Sequence, residues 1–167
     1  MPKPTVAEHE IEFRRITEKT VLAVCELSET LTPEQRGIVA DNGVSIAQAH
    51  FSESAWFRAI YADDTLEGFV MVHLGIDDGD EIDCPGAYLW RLMIAGPQQR
   101  HGIGRKAVLA LVNHLKARGL NALYVSYGQG PGSPESFYKS LGFISTGEYY
   151  GNGGDLEVEV VLRWSTP

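Results

Sequence analysis

The chain has 167 residues, 44% of them hydrophobic and 22% charged, and its formal net charge at pH 7 is −8. These values are typical of one soluble domain spanning residues 1–167. They exclude a membrane span, because no apolar run approaches about 20 residues, and they argue against nucleic acid as a partner, because no basic stripe accompanies the acidic charge. The first residues lack the apolar core of a signal peptide, so the predicted location is cytoplasmic.

The first half of the chain is predicted to form helices followed by a hairpin. Thr32 and Gln35 have the spacing of a capping box at the start of a helix. Residues 41–43, Asp-Asn-Gly, are predicted to end that helix, and Ser45 is predicted to cap a shorter one that ends at His50. The other elements predicted here are a strand over residues 10–17, a helix over 19–28, strands over 56–61 and 66–74 around a four-residue turn, and an acidic loop over 75–87.

The second half alternates strands and helices. Its predicted elements are a strand over residues 88–95, a helix that follows a glycine loop and runs to 118, a strand over 121–127, a helix over 135–141 begun by Ser133 and Pro134, and strands over 143–150 and 155–164 joined by a Gly-Asn-Gly-Gly turn. The whole order predicts an α/β (α+β) fold with a mixed central sheet flanked by helices.

Acidic and basic residues are unevenly distributed along the chain. Residues 1–87 contain 17 acidic and 6 Lys or Arg side chains, whereas residues 88–167 contain 5 acidic and 8 basic ones. No Asp or Glu lies between Cys84 and Pro134. We therefore expect the second half to bind an anion and the first half to approach a cationic partner. The alternative is an acidic surface that only confers solubility.

A glycine-spaced loop separates the strand over 88–95 from the helix that follows it. Backbone N–H groups at a helix N-terminus lack partners and together carry about half a positive charge. Gly102 and Gly104 have no side chains that would keep an anion away from the backbone. Because the loop lies in the acid-free stretch, the predicted ligand is a phosphate or a diphosphate.

Residues 102–107 also fit the dinucleotide fingerprint G-x-G-x-x-G/A. That fold requires an acidic residue about 20 positions further along to bind the ribose, and this chain has none before Glu135. The glycines also follow the strand by several residues instead of forming its first turn. A Walker loop is excluded because no Gly-Lys-Ser/Thr occurs. The anion site is therefore predicted to belong to another fold.

Residues 99–104, Gln-Arg-His-Gly-Ile-Gly, resemble the Q/R-x-x-G-x-G/A signature of the GNAT superfamily of acyl-CoA N-acyltransferases. Residues 136–143, Ser-Phe-Tyr-Lys-Ser-Leu-Gly-Phe, resemble its second signature, the F-Y-x-x-L-G-F box. The resemblance implies a mostly antiparallel sheet splayed at the cofactor site. Within the superfamily the chain is most similar to the bacterial diamine, spermine and spermidine acetyltransferase branch, on residues 34–35, 42–47, 59–61, 66–70 and 89–94.

The resemblance implies acetyl-CoA as the co-substrate. It implies that Tyr138 is the general acid that protonates the departing thiolate. It also implies that the strand over residues 92–94 pairs with the pantetheine arm, with an N–H near Ile94 polarising the thioester carbonyl. Pro131 stands where the family often has asparagine, and the expected substitute contact is Ser133 or the backbone. The implied cofactor-binding residues are Leu92, Met93, Ile94, Gln99, Arg100, His101, Gly102, Ile103, Gly104, Arg105 and Ser133.

The implied reaction is direct attack of a primary amine on the thioester, since Cys25 and Cys84 lie outside both signatures. The acidic half favours a small cationic amine, either a diamine or a polyamine such as spermidine or spermine. Glu34, Asp41 and Glu53 are candidate substrate contacts, and the general base stays open between these and a chain of water molecules. The alternatives are a peptide or protein amine, an aminoglycoside, or an acyl-CoA sensor without turnover.

Two further expectations concern metals and assembly. The histidines do not have ligand spacing with one another, so no metal is predicted. Many relatives in the superfamily form dimers through C-terminal strands, and Val158, Val160 and Leu162 alternate with Glu157, Glu159 and Val161 in a pattern that is compatible with an exposed strand. A homodimer is therefore one expectation.

Overall fold

The computed structural model describes residues 9–75, 86–151 and 156–165. In chain order its elements are β1 (Ile11–Arg14), α1 (Val21–Glu26), α2 (Pro33–Ile38), α3 (Asn42–His50), β2 (Ala55–Ala62), β3 (Thr65–His73), β4 (Ala87–Ile94), α4 (Ile103–Ala117), β5 (Ala122–Gly128), α5 (Glu135–Ser140), β6 (Ile144–Tyr150) and β7 (Glu157–Arg163). Single 3₁₀ turns follow α1 (Leu27–Thr30) and β4 (Gly96–Gln98). Within the described ranges, no helix has the length and apolar character needed to cross a membrane.

Seven strands form one sheet in the order β1-β2-β3-β4-β5-β7-β6. Neighbouring strands are antiparallel except β4 and β5, which are parallel. Helix α4 packs Val108, Leu111 and Leu115 into the larger core on one face. Helices α1 and α3 cover β2 and β3 on the other face, where Val24 and Ile46 belong to the second core. This is the mixed, mostly antiparallel sheet flanked by helices that the sequence predicted.

In the N-terminal half, one predicted helix start is confirmed and another is wrong. Thr32 Oγ1 accepts from the N–H of Gln35 and the Gln35 side chain accepts from the N–H of Thr32, which is the predicted capping box. Helix α3, however, begins at Asn42, and Ser45 lies buried inside it. The prediction that Ser45 caps this helix is therefore wrong. The reason is tertiary: Asn42 is almost fully buried, and its side-chain amide donates to the carbonyl of Val24 at 2.8 Å.

The C-terminal half follows the predicted order with two differences. Strand β7 lies between β5 and β6, so β6 forms the edge and the expectation that the strand of Val158, Val160 and Leu162 is exposed is wrong. Helix α5 begins at Glu135 as predicted, but its N-cap is Pro134, without a side-chain cap hydrogen bond. The antiparallel pairing of β6 with β7 confirms the predicted hairpin. Its turn at residues 152–154 and the acidic stretch at 77–83 lie outside the described residues.

The Gly96 backbone lies directly against the turn after α1. Its N–H donates to Thr30 Oγ1 at 2.9 Å, and a Cβ at this position would overlap the Thr30 carbonyl oxygen. We expect Gly96→Ala to destabilise the fold by about 1–3 kcal/mol, because the backbone must move apart. Urea unfolding measures the effect. Gly37→Ala is the matched control, since a Cβ there meets nothing within 4 Å and alanine favours the helix; equal stability of the two variants would contradict the prediction.

Candidate active site

Strands β4 and β5 separate soon after they begin. They pair only through Ala87 with Leu123 and Tyr88 with Tyr124, and toward their C-terminal ends they diverge into a wedge. A cavity of about 760 Å³ lies along the C-terminal part of β4. Besides β4, it is lined by residues of α2 and its flanks, the start of α4, the loop after β5, and α5: Leu31, Gln35, Ile38, Val39, Gly102, Gly104, Gly132, Ser133, Phe137 and Tyr138.

A β-bulge precedes this open part of β4. Met71 pairs with Arg91 and Val72 with Leu89, so Trp90 is an extra residue. A bulge reverses the alternation of side chains after it. Leu89 and Leu92, three positions apart, therefore both pack toward the core under α4.

The open edge of β4 presents backbone hydrogen-bonding groups to the cavity. The N–H of Ala95 donates to the carbonyl of Glu67 at 2.8 Å, so Ala95 faces β3. Backbone groups of successive strand residues point to alternate edges. The N–H and C=O groups of Leu92 and Ile94 consequently face the side from which β5 has separated, and Met93 faces β3. A row of this kind suits an extended chain of amides, which can pair as an added strand.

The N-terminus of α4 opens into the same cavity. Gly102 is its N-cap in the left-handed region at φ 83°, and the first turn contains no acidic side chain. The N–H groups at the start of this helix have no helical acceptor. A Cβ on Gly104 would lie 3.2 Å from the Phe137 ring, so a larger residue here requires that ring to shift by a few tenths of an ångström. Arg100 and Arg105 add positive charge to the lining, and the arrangement fits a diphosphate.

Gln99 occupies a bridging position at the end of β4. Its Nε2 donates to the carbonyl of Ile94 at 2.9 Å, and its Oε1 accepts from Gln35 Nε2 at 2.7 Å. The side chain therefore fixes α2 against β4 and occupies the Ile94 carbonyl, which leaves the N–H of Ile94 as the group directed at the cavity. The sequence predicted a cofactor contact for Gln99 and did not predict this bridge.

Tyr138 lies in α5 at the wall of the cavity and is 5% exposed. Its ring stacks on Tyr127 with centroids 5.6 Å apart and meets Phe143 edge-on at 5.2 Å. Burial raises the pKa of Tyr138 well above its usual value, and the neighbouring phenols of Tyr88 and Tyr127 raise it further. The hydroxyl is therefore held in its protonated form beside the cavity.

The implied cofactor residues converge as a group. All of them line the cavity except His101, which is exposed, and Ile103, whose side chain is buried in the core. The cavity also has an apolar wall, formed by Leu31, Ile38 and Val39. The sequence did not indicate this wall, although Ile38 follows the predicted contact Glu34 by one helical turn.

The three candidate acidic contacts are not brought together. Glu34 lies beside Gly132, near the cavity but not in its lining. Asp41 precedes α3 and does not line the cavity either. Glu53 precedes β2, whose first residue pairs with His73, about 17 Å along β3 from the residue paired with Ile94. Among the residues that the structure describes, no group of three or more His, Cys, Asp or Glu side chains could hold a metal.

A parallel-strand wedge, an unpaired helix N-terminus and a buried tyrosine around one cavity define an acyl-CoA-dependent acyltransferase. The comparison with protein families agrees: residues 23–143 match the model of the acetyltransferase (GNAT) family. The chain belongs to that family and is an acyl-CoA-dependent N-acetyltransferase that uses acetyl-CoA.

Solved structures share this fold. An acetyltransferase from Thermus thermophilus has a TM-score of 0.69 at 18% identity, with 92% of this chain and 97% of that chain covered. The aminoglycoside acetyltransferase AAC(6')-Ib in complex with coenzyme A has a TM-score of 0.71 at 18% identity, covering 92% and 95%. PaiA N-acetyltransferase from Thermoplasma acidophilum, also in complex with coenzyme A, has a TM-score of 0.64 at 18% identity, covering 93% and 99%.

Proposed function

We propose that this N-acetyltransferase acts on a primary amine of a small cationic acceptor, with diamines and polyamines such as spermidine as the acceptor class. The observation that carries the proposal is the cavity that joins the anion-binding start of α4, the open edge of β4 and the hydroxyl-bearing ring of Tyr138. The net charge of −8 supports the cationic acceptor, because a negative protein field draws such molecules in.

On the donor side, the start of α4 binds the diphosphate through the N–H groups that follow Gly102, assisted by Arg100 and Arg105. The Leu92 and Ile94 backbone pairs with the amides of the pantetheine arm. This pairing directs the N–H of Ile94 toward the thioester carbonyl, where a donor stabilises the negative charge that develops on the oxygen. Acetyl-CoA supplies the activated acetyl group.

On the acceptor side, Tyr138 gives its proton to the thiolate as the carbon–sulfur bond breaks. A phenol with an ordinary pKa of about 10 is an adequate donor to a thiolate. Because burial raises the pKa of Tyr138, the donor stays protonated at the alkaline pH values where more of the amine is neutral. Burial therefore keeps the proton on Tyr138 until a thiolate develops beside it, and it also makes this phenol a weaker acid than an exposed one.

The charge that attracts the acceptor acts from outside the cavity lining. None of the described carboxylates lines the cavity, whereas Arg100 and Arg105 do. Glu34 lies beside Gly132 next to the cavity. Long-range electrostatic attraction draws an acceptor with several positive charges toward the negatively charged protein, and this attraction weakens as salt is added.

A panel of amines tests the acceptor class. Thiol release from acetyl-CoA is measured with a diamine, spermidine, an aminoglycoside and a peptide with a free N-terminus. We expect the highest kcat/KM for the diamine or spermidine, and a decline in kcat/KM as ionic strength rises. Faster turnover of the aminoglycoside or the peptide would contradict the proposal and make that molecule's class the acceptor. Tight CoA binding without turnover of any amine would instead support an acyl-CoA sensor.

Calorimetric titration of spermidine into the CoA-bound protein tests the acceptor site without turnover. We expect saturable binding that weakens with salt, because the attraction is between opposite charges. Heat of dilution alone, in a protein that binds CoA normally, would count against a polyamine acceptor.

A further inference from the structure

The carbonyl of Ile94 at the open edge of β4 already has a partner. Gln99 Nε2 donates to it at 2.9 Å, so this side chain takes the place of the strand partner that is lost where β5 separates. Along this edge the backbone groups follow one another as Leu92 N–H, Leu92 C=O, Ile94 N–H and Ile94 C=O. With the last group occupied, the edge offers a donor and an acceptor at Leu92 but only a donor at Ile94.

This order of groups matches the chemistry of an acyl-CoA. An amide of the pantetheine arm has both an N–H and a C=O, and it pairs with a strand residue that offers both. A thioester has a carbonyl oxygen, but sulfur stands where an amide has its N–H. The lone donor at Ile94 therefore suits a thioester. A free Ile94 carbonyl would let an amide pair there as well, with the arm displaced by two strand residues, about 6.6 Å.

Gln35 orients the amide of Gln99. Its Nε2 donates to Gln99 Oε1 at 2.7 Å, which fixes the oxygen end of that amide and directs the nitrogen end at the Ile94 carbonyl. Gln35 is itself held by the capping box, in which its Oε1 accepts from the N–H of Thr32 at 3.1 Å. Without Gln35, the Gln99 amide is free to turn and present its oxygen to the Ile94 carbonyl.

The segment around α2 holds the turn Gly96–Gln98 at both ends. Thr30 Oγ1 accepts from the N–H of Gly96 at 2.9 Å, and Gln35 binds Gln99 directly after the turn. All six residues of α2 stay at least partly exposed, so polar contacts rather than a buried apolar face fix this helix. The turn joins the thioester end of β4 to the loop that opens α4, and its position sets the distance between them.

We propose that Gln99 and Gln35 are positioning residues for the acetyl donor. By occupying the Ile94 carbonyl they end the pairing of the pantetheine arm at the Ile94 N–H, and so place the thioester carbonyl on that donor. This inference rests on the donor side of the proposed function. It gives Gln99 a contact with the protein where the sequence implied a contact with the cofactor. Loss of a cofactor contact raises the Kd for CoA, whereas loss of register lowers kcat and leaves that Kd unchanged.

Gln99→Leu removes the donor to the Ile94 carbonyl at nearly constant volume. We expect kcat with the best amine of the panel to fall about 10- to 100-fold, because a displacement of about 1 Å at the reacting carbon already costs up to about 100-fold. The Kd for CoA, measured by calorimetry, should not change. A raised Kd with kcat retained would show that Gln99 binds the cofactor directly and would overturn the inference.

Gln35→Glu tests the same bridge from α2. A glutamate still accepts from the Thr32 N–H, so the capping box is kept. It places a carboxylate oxygen where Nε2 stood, 2.7 Å from Gln99 Oε1. The Gln99 amide must then turn toward the carboxylate and give up the Ile94 carbonyl. We expect a fall in kcat of at least about tenfold, again with the Kd for CoA unchanged.

Two control variants separate the bridge from its surroundings. Gln98→Glu adds the same charge next to Gln99, but its side chain does not line the cavity. Arg36→Leu breaks a different contact of α2, the hydrogen bond from Arg36 Nε to the carbonyl of Ser28 at 3.0 Å. Both controls should keep kcat near that of the unsubstituted protein. An equal loss in Gln35→Glu and Gln98→Glu, or in Gln99→Leu and Arg36→Leu, would overturn the inference.

The position of the thioester carbonyl is measured directly by NMR on bound acetyl-CoA labelled with ¹³C at that carbon. A carbonyl carbon is deshielded when an N–H donates to its oxygen. We therefore expect the signal to lie upfield in Gln99→Leu and in Gln35→Glu relative to the unsubstituted protein. The same chemical shift in all three proteins would overturn the inference. Gln35→Glu decides the question if Gln99→Leu does not fold.

The outcomes separate this inference from the function on which it rests. An unsubstituted protein that turns over no amine overturns the proposed function, and the NMR comparison, which needs no acceptor, then still decides the role of the bridge. Normal turnover together with undiminished kcat in Gln99→Leu or in Gln35→Glu overturns the positioning role alone.

Discussion

Replacing Tyr138 with phenylalanine is expected to lower kcat by about 100- to 10,000-fold, the range that a positioned general acid contributes. The substitution removes only the hydroxyl. The ring keeps its stack on Tyr127 and its edge contacts with Phe137 and Phe143, so α5 stays in place. Affinity for CoA, measured by calorimetry, should therefore not change. Thiol release under saturating amine measures the loss.

Tyr127→Phe is the matched control for this experiment. Tyr127 is the partner of Tyr138 in the ring stack and is 4% exposed, so its variant removes a buried hydroxyl from the same aromatic cluster. Tyr127 does not line the cavity, and its variant should keep kcat near the original value. Equal losses in both variants would mean that the hydroxyls matter for packing and that Tyr138 is not the acid.

Local patterns in the sequence predict the structure correctly where that structure depends on contacts within a few residues. The Thr32 and Gln35 capping box forms as predicted, because both partners lie within one turn of helix. The start of α3 could not be predicted from the local sequence. Asp-Asn-Gly is typical of a turn, but here the Asn42 N–H donates to Ser28 Oγ at 2.9 Å, and its side chain reaches the carbonyl of Val24. Contacts of α3 with α1 and with the 3₁₀ turn that follows it decide the conformation of these residues.

In the candidate site, too, local sequence motifs could be recognised, whereas contacts between distant residues could not. Gln99, Arg100, Gly102, Gly104 and Tyr138 line one cavity, and their roles in binding and catalysis stay predictions. The bridge between Gln35 and Gln99 has no sequence signature, because the two residues are 64 positions apart and meet only through tertiary packing. The bulge at Trp90 likewise depends on strand pairing that the sequence does not show. Glu53 lies near the end of β3 that is remote from the residue paired with Ile94.

The second large effect is expected at the start of α4, where Gly102→Ala should raise the Kd for CoA by about tenfold or more. A Cβ at Gly102 meets nothing within 4 Å and so projects into open space at the cavity wall. There it hinders the approach of a diphosphate to the helix N–H groups, and losing one hydrogen bond to a charged group costs about 1.5–3 kcal/mol. Calorimetric titration with CoA measures the change.

Gly119→Ala separates this effect from backbone strain. Gly119 follows the opposite end of α4, its φ of 81° is almost equal to the 83° of Gly102, and a Cβ there also meets nothing within 4 Å. Both variants should therefore lose about 1–2 kcal/mol of stability from the left-handed conformation. Only Gly102→Ala should also lose CoA affinity, because only that end of the helix presents unpaired N–H groups. A similar fall in affinity for both variants would show that strain in α4, and not contact with the diphosphate, controls CoA binding.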